Sequence, residues 1–243
     1  MSRMILTRSM TREGTLILVN REHPLRSAHG VELTGVGGQV QLERRAAMAL
    51  EGCIRSVCGQ NEIVPVSGWR SAQEQKNIWD ATLFKEGSAF TEQYVARPGC
   101  SEHQTGLAID LGKTAEFIDF IRPDFPKDGV CGAFRRQAAR WGFIQRYRAE
   151  KQNLTGIAEE PWHFRYVGAP HAAILEENEL CLEEYTAFLK QNPVEVKLSG
   201  CMRARVSYIP CKGERTEWDA PDGYVQISGD NCGGFIATVW RWA

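Results

Sequence analysis

The sequence predicts an α+β fold, in which helices flank a small central antiparallel sheet and a small β-rich appendage follows at the C-terminus. Short apolar runs and helical patterns follow one another without the regular alternation that a doubly wound parallel sheet requires. After Pro193 the chain is rich in β-branched and aromatic residues that are interrupted by turn residues. We therefore expect one domain at residues 1–193 and the appendage at residues 194–243.

Apolar periodicity and end signals predict the helices. Between residues 39 and 58, apolar side chains recur at spacings of three, four and seven, and Gly59 follows. Ser71 and Glu74 have the spacing of a capping box, which predicts that a helix starts there and ends before Gly87. Further helices are expected at residues 130–141, 170–178 and 182–191.

Short runs of β-branched and other apolar residues predict the strands. Such runs occur at residues 16–20, 62–66, 107–111 and 163–167. In the appendage, residues 224–227 and 235–240 flank a segment rich in glycine and polar residues, which is typical of a hairpin.

Charge and hydropathy exclude two classes of protein. The chain of 243 residues carries 29 Lys and Arg against 30 Asp and Glu, and a nucleic-acid-binding protein normally has a basic excess. The arginine-rich run from Arg135 to Arg148 is interpreted as one face of an amphipathic helix. No apolar run has the length of a secretion signal or a membrane span, so we expect a cytoplasmic protein without a membrane span.

The eight cysteines do not follow the spacing of a zinc ribbon or finger, and no CxxC pair occurs. In a cytoplasmic protein we expect them to be reduced thiols. A Cys201–Cys211 or Cys211–Cys232 disulfide is the main alternative. Cys100, three residues before His103, is interpreted as a small buried side chain and not as a metal ligand.

Two of the five histidines have acidic partners at short spacing. Asp110 follows His103 by seven residues, with Gly106 between them to let the chain turn, and Glu160 precedes His163 by three. Two imidazoles and one carboxylate form a zinc site with an open fourth position, which is typical of catalytic sites. The spacing allows Glu160 to reach a water molecule at that position without being a ligand.

Three motifs resemble those of the VanY/VanX group of zinc D,D-peptidases. They are Ser67-Gly68-Trp69-Arg70-Ser71 with Gln75, then Ser101-x-His103-x₆-Asp110, then Glu160-x-x-His163 with Tyr166. They occur in the family's order, and the resemblance covers residues from about 15 to about 190, which leaves the appendage outside it.

The resemblance implies a hedgehog/D,D-peptidase-like fold and one zinc ion per chain. His103, Asp110 and His163 are similar to the family's zinc ligands, and Glu160 and Arg70 to its catalytic base and its transition-state arginine. Ser101 and Gln75 match positions near the substrate, and Trp162 is expected either to line the substrate pocket or to belong to the core.

The function implied is hydrolysis of the terminal D-Ala-D-Ala bond in the free dipeptide, in the muramyl pentapeptide precursor of peptidoglycan, or in both. The lack of an apolar run of signal length resembles the bifunctional VanXY subgroup, whose members have no membrane anchor. That subgroup acts in glycopeptide (vancomycin) resistance. The choice between dipeptide and pentapeptide is expected to depend on a loop at residues 85–97 or 147–159.

Three alternatives remain open at this stage. A phage endolysin-type zinc peptidase that cuts the stem peptide of the cell wall would explain the appendage as a wall-binding module. A non-catalytic zinc or peptide-binding module is a second alternative, although Glu160 and Arg70 are both present. The aromatic residues of the appendage could also form the contact of a homodimer.

Overall fold

The structure is a computed structural model that describes residues 2–26, 30–197, 200 and 202–242. The chain forms two compact units. The first comprises Val19–Glu176, and the second comprises Met1–Leu18 together with Glu177–Ala243. This grouping differs from the expected division after residue 193, because the N-terminal strand pairs with a strand near residue 217.

Strands and helices are numbered separately in chain order over the described residues. The strands are β1 (Ser2–Thr7), β2 (Leu33–Gly37), β3 (Val40–Glu43), β4 (Ile63–Ser67), β5 (Ala108–Lys113), β6 (Phe143–Gln145), β7 (His163–Tyr166), β8 (Val194–Lys197), β9 (Met202–Pro210), β10 (Arg215–Ala220), β11 (Tyr224–Gly229) and β12 (Gly234–Trp242). The helices are α1 (Arg44–Ser56), α2 (Ala72–Tyr94), α3 (Gly129–Gln137), α4 (Gln152–Thr155), α5 (Ala169–Glu177) and α6 (Leu182–Gln191).

The central sheet of the first unit has the strand order β4-β5-β7-β6, and all its neighbouring strands are antiparallel. Residues along β5 and β7 alternate between two faces, as the pleat of a strand requires. Ile109, Leu111 and Phe164 belong to the hydrophobic core on one face. Asp110 and His163 lie at the alternate positions and therefore point to the opposite face, where the candidate site forms. The predicted α+β fold with a small antiparallel sheet is confirmed.

The core beneath this sheet is built around three phenylalanine rings that contact one another edge to face. The ring centroids of Phe125, Phe134 and Phe164 are separated by 5.1–5.8 Å. Phe134 comes from α3 and Phe164 from β7, so these rings attach a helix to the core face of the sheet. Edge-to-face pairs add to the stabilisation that burial of the rings provides.

Two predicted helices differ from the structure at their ends. Residues 40–43 form β3 instead of the first turn of α1, because their backbone pairs with β2, and Glu43 caps the helix through the amides of Arg45 and Ala46. The capping box of Ser71 and Glu74 is confirmed, but α2 continues past Gly87 to Tyr94 with a kink at that glycine. Gly87 has φ 81° and ψ 173°, so it interrupts the helix without ending it.

The arginine-rich run is not one helix face. It begins on α3, but Gly142 ends the following 3-10 turn in the left-handed conformation and the chain then enters β6. Arg146 and Arg148 lie beyond that strand. Arg146 is 2% exposed, and its role in the site is described below.

The second unit contains one sheet of order β11-β12-β9-β8 and the antiparallel pair β1–β10. The predicted hairpin of β11 and β12 is confirmed. The strand predicted at residues 16–20 is not formed, because the backbone there bonds to loop and side-chain groups instead of a ladder. The amide of Leu16 donates to Ser228 Oγ and that of Leu18 to the carbonyl of Asp230.

The described cysteines are free thiols, so no Cys211–Cys232 disulfide forms, and Cys201 lies outside the described residues. Among the helices of the described segments, none is long and apolar enough to cross a membrane.

Candidate active site

Asp110 and His163 are directly opposed in the register of β5 and β7. Opposed residues on antiparallel strands have Cβ atoms about 5 Å apart, so the two side chains meet. Asp110 Oδ1 lies 3.0 Å from His163 Nδ1. The prediction that His163 lies on a strand beside that of Asp110 is confirmed.

His103 reaches the same carboxylate from a 3-10 turn, Glu102–Thr105, that precedes β5. Its Nε2 lies 3.1 Å from Asp110 Oδ2. The turn ends at Gly106, whose φ of 72° is left-handed, and a Cβ there would lie 3.1 Å from the amide nitrogen of Glu43. A glycine is therefore needed at this position to bring the turn back into β5.

The two ring nitrogens that face away from Asp110 are held by different partners. His103 Nδ1 lies 2.7 Å from the carbonyl oxygen of Gly68 and donates to it. His163 Nε2 lies 3.4 Å from Glu102 Oε2. Such partners fix the tautomer of metal-binding histidines. The nitrogens that remain to bind a metal are Nε2 of His103 and Nδ1 of His163.

Glu102 is fully buried between two arginines. Its Oε1 accepts from Arg146 Nε at 2.8 Å and lies 3.0 Å from Arg165 Nη1. Burial alone would raise the pKa of the Glu102 carboxyl, but the two arginines and His163 outweigh it and hold the pKa well below its usual range. Glu102 is thus a carboxylate at neutral pH.

Arg70 follows β4 and is held by three acceptors. Its Nε donates to Ser67 Oγ at 2.9 Å, Nη1 to Gln75 Oε1 at 3.2 Å and Nη2 to Asp110 Oδ2 at 2.9 Å. Its side chain is 14% exposed. Burial lowers the pKa of the guanidinium, and Asp110 and Glu160 act against that shift. The planar fork is therefore fixed in one orientation beside the carboxylate.

Glu160 is placed over the site by a turn that leads into β7. The amide of His163 donates to the carbonyl of Glu160 at 3.2 Å, with Pro161 at the position that proline favours in such turns. Glu160 Oε2 lies 3.5 Å from His163 Nδ1. Burial raises the pKa of this carboxyl to about 8, partly offset by His163.

Burial and neighbouring charges also shift the other groups. Burial and the charge of Arg70 lower the pKa of His103 to about 4. Burial would raise the pKa of Asp110, but both histidines outweigh it and hold it well below its usual range. Burial would lower the pKa of His163, but its hydrogen bonds with Asp110 and Glu102 outweigh it and raise the pKa to about 9. Because a neutral imidazole and an ionised carboxylate are the forms that bind a metal, His163 would release a proton when the metal binds.

These residues fit a zinc ion. Among the described residues, His103, Asp110 and His163 form the group of metal-binding side chains in which one ligand atom of each lies within 4.8 Å of the others. All three are buried, and two imidazoles with one carboxylate are a donor set that zinc prefers. Cys100 is not in this group, but its side chain is half-buried and not buried as the sequence predicted.

The eight predicted site residues line one cavity: Arg70, Gln75, Ser101, His103, Asp110, Glu160, Trp162 and His163. The empty space in this cavity and its open mouth is about 480 Å³. Trp162 meets both expectations, because it lines the cavity and also belongs to the hydrophobic core. Gln75 uses both ends of its amide within the protein, through Arg70 and the carbonyl of Ala96.

Both segments expected to select the substrate contribute to the cavity wall, through residues 94–96 and through Tyr147 and Ile157. The first is not the predicted loop, because residues 85–94 belong to α2. Phe120 and Ile121, which were not predicted as site residues, line the cavity from the segment after β5. The Arg70 guanidinium lies 5.8 Å from the Phe120 ring centroid. No local signal marks these residues, since their position depends on the path of an irregular segment.

Glu102 was also not predicted as a site residue, although it lies within the motif from Ser101 to Asp110. An acidic residue in a loop is normally solvent-exposed. Its burial depends on Arg146 and Arg165, which are more than 40 residues away, and no spacing rule links them.

Comparisons with known proteins agree with this site. The family model described as "VanY: D-alanyl-D-alanine carboxypeptidase" matches residues 39–169. The chain is 42% identical over 182 residues to the bifunctional D-Ala-D-Ala dipeptidase and carboxypeptidase VanXYC of Enterococcus gallinarum. That match covers 73% of this chain and 96% of the relative.

Two solved structures extend the comparison. The D,D-dipeptidase VanXYg, in complex with a D-Ala-D-Ala phosphinate analogue, has a TM-score of 0.96, 44% identity and 99% coverage of both chains. A glutamate-to-alanine mutant of VanY in complex with Zn(II) has a TM-score of 0.60 and 31% identity over 71% of this chain and 99% of that one. From the family match and these identities, the chain belongs to the VanY family of D-alanyl-D-alanine carboxypeptidases.

Proposed function

We propose that this chain hydrolyses the terminal D-Ala-D-Ala bond of the free dipeptide, of the muramyl pentapeptide precursor, or of both, with one zinc ion per chain. The observation that carries the proposal is the convergence of His103 Nε2, Asp110 and His163 Nδ1 beside Glu160 and Arg70 in one buried cavity. The substrate class is supported by two relatives, a bifunctional D-Ala-D-Ala dipeptidase and carboxypeptidase and a D,D-dipeptidase in complex with a D-Ala-D-Ala phosphinate analogue.

Zinc would be held by His103, Asp110 and His163. When bound, it would supply a Lewis acid that lowers the pKa of water to about 7 and polarises the scissile carbonyl. The carboxylate of Glu160 would take the proton of the attacking water and later deliver it to the leaving amine nitrogen of D-alanine. Burial raises the pKa of this carboxyl to about 8, and the positive charge of a bound zinc ion would lower it, which favours the carboxylate that accepts the proton.

Arg70 would stabilise the negative charge that develops on the carbonyl oxygen as water attacks. A fixed donor directed at that charge costs no reorganisation during the reaction. The three contacts of Arg70 to Ser67, Gln75 and Asp110 provide that fixation. We propose that Gln75 acts in substrate binding by holding this guanidinium.

The remaining wall would select a small peptide end. Ser101 is 2% exposed and offers a hydroxyl to the substrate, while Trp162, Tyr147 and Ile157 offer apolar surface to the methyl groups of D-alanine. The bifunctional relative supports activity on both dipeptide and pentapeptide. We propose that Tyr94–Ala96 and the segment around Ile157 set the preference between the two.

The decisive experiment incubates the zinc-loaded protein with D-alanyl-D-alanine and with UDP-linked muramyl pentapeptide and measures free D-alanine. Release from either substrate, lost in Glu160→Gln, supports the proposal. Solubilisation of purified cell walls without release of D-alanine from either substrate would replace it by the endolysin-type activity.

We further propose that the enzyme acts in the cytoplasm, as the resemblance to the bifunctional subgroup implies, and forms a homodimer through the aromatic residues of β11 and β12. Tyr224 is 68% and Trp242 is 79% exposed. Cell fractionation tests the first statement. Light scattering of the wild type and of Trp242→Ser tests the second, which fails if the wild type is a monomer.

A further inference from the structure

The proposed mechanism does not use Glu102, although its burial among charged groups is costly. The side chains of Glu102 and Arg165 are 0% exposed and that of Arg146 is 1% exposed. Burying a charge is tolerated only where it is paired and hydrogen-bonded. The cost of burying these charges beside the proposed metal site indicates that Glu102 has a specific function there.

The two oxygens of Glu102 have different partners. Oε1 accepts a hydrogen bond from Arg146 Nε at 2.8 Å and lies 3.0 Å from Arg165 Nη1. Oε2 lies 3.4 Å from His163 Nε2. Both arginines can only donate hydrogen bonds. They fix the rotation of the carboxylate so that an acceptor, and never a donor, is presented to His163.

We propose that Glu102 is a positioning residue that accepts the Nε2–H of His163 and thereby keeps Nδ1 of that ring free to bind zinc. The inference deepens the proposed function and rests on the same metal site. The contrast with His103 supports it, because the carbonyl of Gly68 holds the opposite nitrogen of that ring, Nδ1, at 2.7 Å. Because Glu102 directly precedes His103, one 3-10 turn supplies a ligand and also orients a ligand on β7.

The substitution Glu102→Gln separates this role from mere packing. The glutamine has nearly the same shape, and the two arginines would keep its carbonyl oxygen in the place of Oε1. Its amide NH₂ would then point at His163 Nε2 and donate to it. The ring would carry its proton on Nδ1, the atom that must bind the metal, so zinc affinity would fall.

The test measures the zinc dissociation constant by competition with a chromogenic chelator, for the wild type, Glu102→Gln and the matched control Glu51→Gln. Glu51 lies on α1 and pairs with Arg55 at the surface. We expect a rise of about 10-fold to 100-fold for Glu102→Gln, the usual effect of losing such a partner, and no change for the control.

Nitrogen-15 spectra of the zinc-free proteins add a readout that a packing role would not change, because zinc bound to Nδ1 would itself force the ring proton onto Nε2. The wild type should show a hydrogen-bonded Nε2–H proton for His163, and Glu102→Gln should lose it. The double variant Glu102→Gln/Arg146→Met, which keeps the net charge of the cluster and retains Arg165, is measured alongside in case the single variant folds poorly.

The outcomes distinguish the two proposals. If the wild type binds zinc tightly and either folded variant binds within about twofold of it with the Nε2–H signal retained, the role of Glu102 is refuted and the proposed function stands. If the wild type does not bind zinc, or if His103→Ala does not weaken its binding of zinc, both proposals fail.

Discussion

Asp110 and His163 are opposed in register on neighbouring antiparallel strands, with Asp110 Oδ1 3.0 Å from His163 Nδ1. Two of the three expected ligands are therefore fixed by the backbone hydrogen bonds of a sheet, and only His103 comes from a turn. A site built on strands holds its geometry more precisely than one built on loops. The sheet therefore holds the ligand atoms of Asp110 and His163 close together.

The first prediction concerns Glu160. Replacing it by glutamine removes the group that accepts and returns the proton, so turnover of D-alanyl-D-alanine should fall by about 10²-fold to 10⁴-fold. Zinc content should be retained, since Glu160 is not among the ligand atoms that converge. Enzymatic assay of free D-alanine, together with metal analysis, measures both.

Glu159→Gln is the matched control, because Glu159 precedes Glu160 directly but pairs with Lys127 and does not line the cavity. It should keep wild-type turnover. Near-normal activity of Glu160→Gln would remove Glu160 from the mechanism.

The second prediction concerns Arg70. Lysine keeps the charge but cannot reach Ser67, Gln75 and Asp110 at once with a planar fork. We expect kcat/KM for Arg70→Lys to fall by about 10²-fold to 10³-fold. The exposed Arg55→Lys on α1 serves as the control for the same exchange. Unchanged catalytic efficiency of Arg70→Lys would contradict the assigned role.

The third prediction concerns Gly68, whose carbonyl orients His103. A Cβ at this position would overlap the carbonyl oxygen of Gln41, so Gly68→Ala must displace the backbone. Because the Gly68 carbonyl holds His103 Nδ1, zinc affinity should fall by about 10-fold to 100-fold. In the control Gly35→Ala, on β2, the added Cβ meets no atom within 4 Å. Equal zinc affinity of the two variants, measured by chelator competition, would show that this carbonyl is not needed.

The sequence predicted most of the site because its motifs carry local information. Period-two alternation in β5 and β7 places Asp110 and His163 on one face, and Gly106 allows the intervening turn. The remainder depends on contacts between distant segments. Burial of Glu102 requires Arg146, which the sequence pattern assigned to one face of an amphipathic helix. The path of residues 114–128 decides where Phe120 lies.

For the fold as well, elements with local sequence signals were predicted, and pairing between distant segments was not. Helices with clear end signals, such as α6 at Leu182–Gln191, were confirmed at both ends. Apolarity alone was misleading at residues 16–20, where residues 16–19 are buried but do not belong to a strand. The pairing of β1 with β10 joins chain ends more than 200 residues apart, a relationship that local patterns do not contain.

The fourth prediction concerns stability against pH. Burial lowers the pKa of His171, on α5, to about 3. An unfolded histidine titrates near 6.5, so below that pH the unfolded chain binds a proton that the folded protein does not. Stability is therefore complete above about pH 6.5 and is lost as pH falls from there towards 3.

Urea unfolding of the zinc-free wild type and of His171→Gln measures this contribution. Between pH 7 and pH 5 the wild type should lose about 2 kcal/mol more than the variant. Other titrating groups are common to both proteins and cancel in the difference. Identical pH dependence of the two proteins would exclude His171 as the source.

The central claim is that His103 Nε2, Asp110 and His163 Nδ1 together hold one zinc ion. Anomalous diffraction from crystals of the zinc-loaded protein, recorded on either side of the zinc absorption edge, tests it most directly. We expect one strong peak within bonding distance of these three atoms, about 2.0–2.2 Å. A peak bound through the opposite nitrogen of either ring, or located away from Asp110, would contradict it.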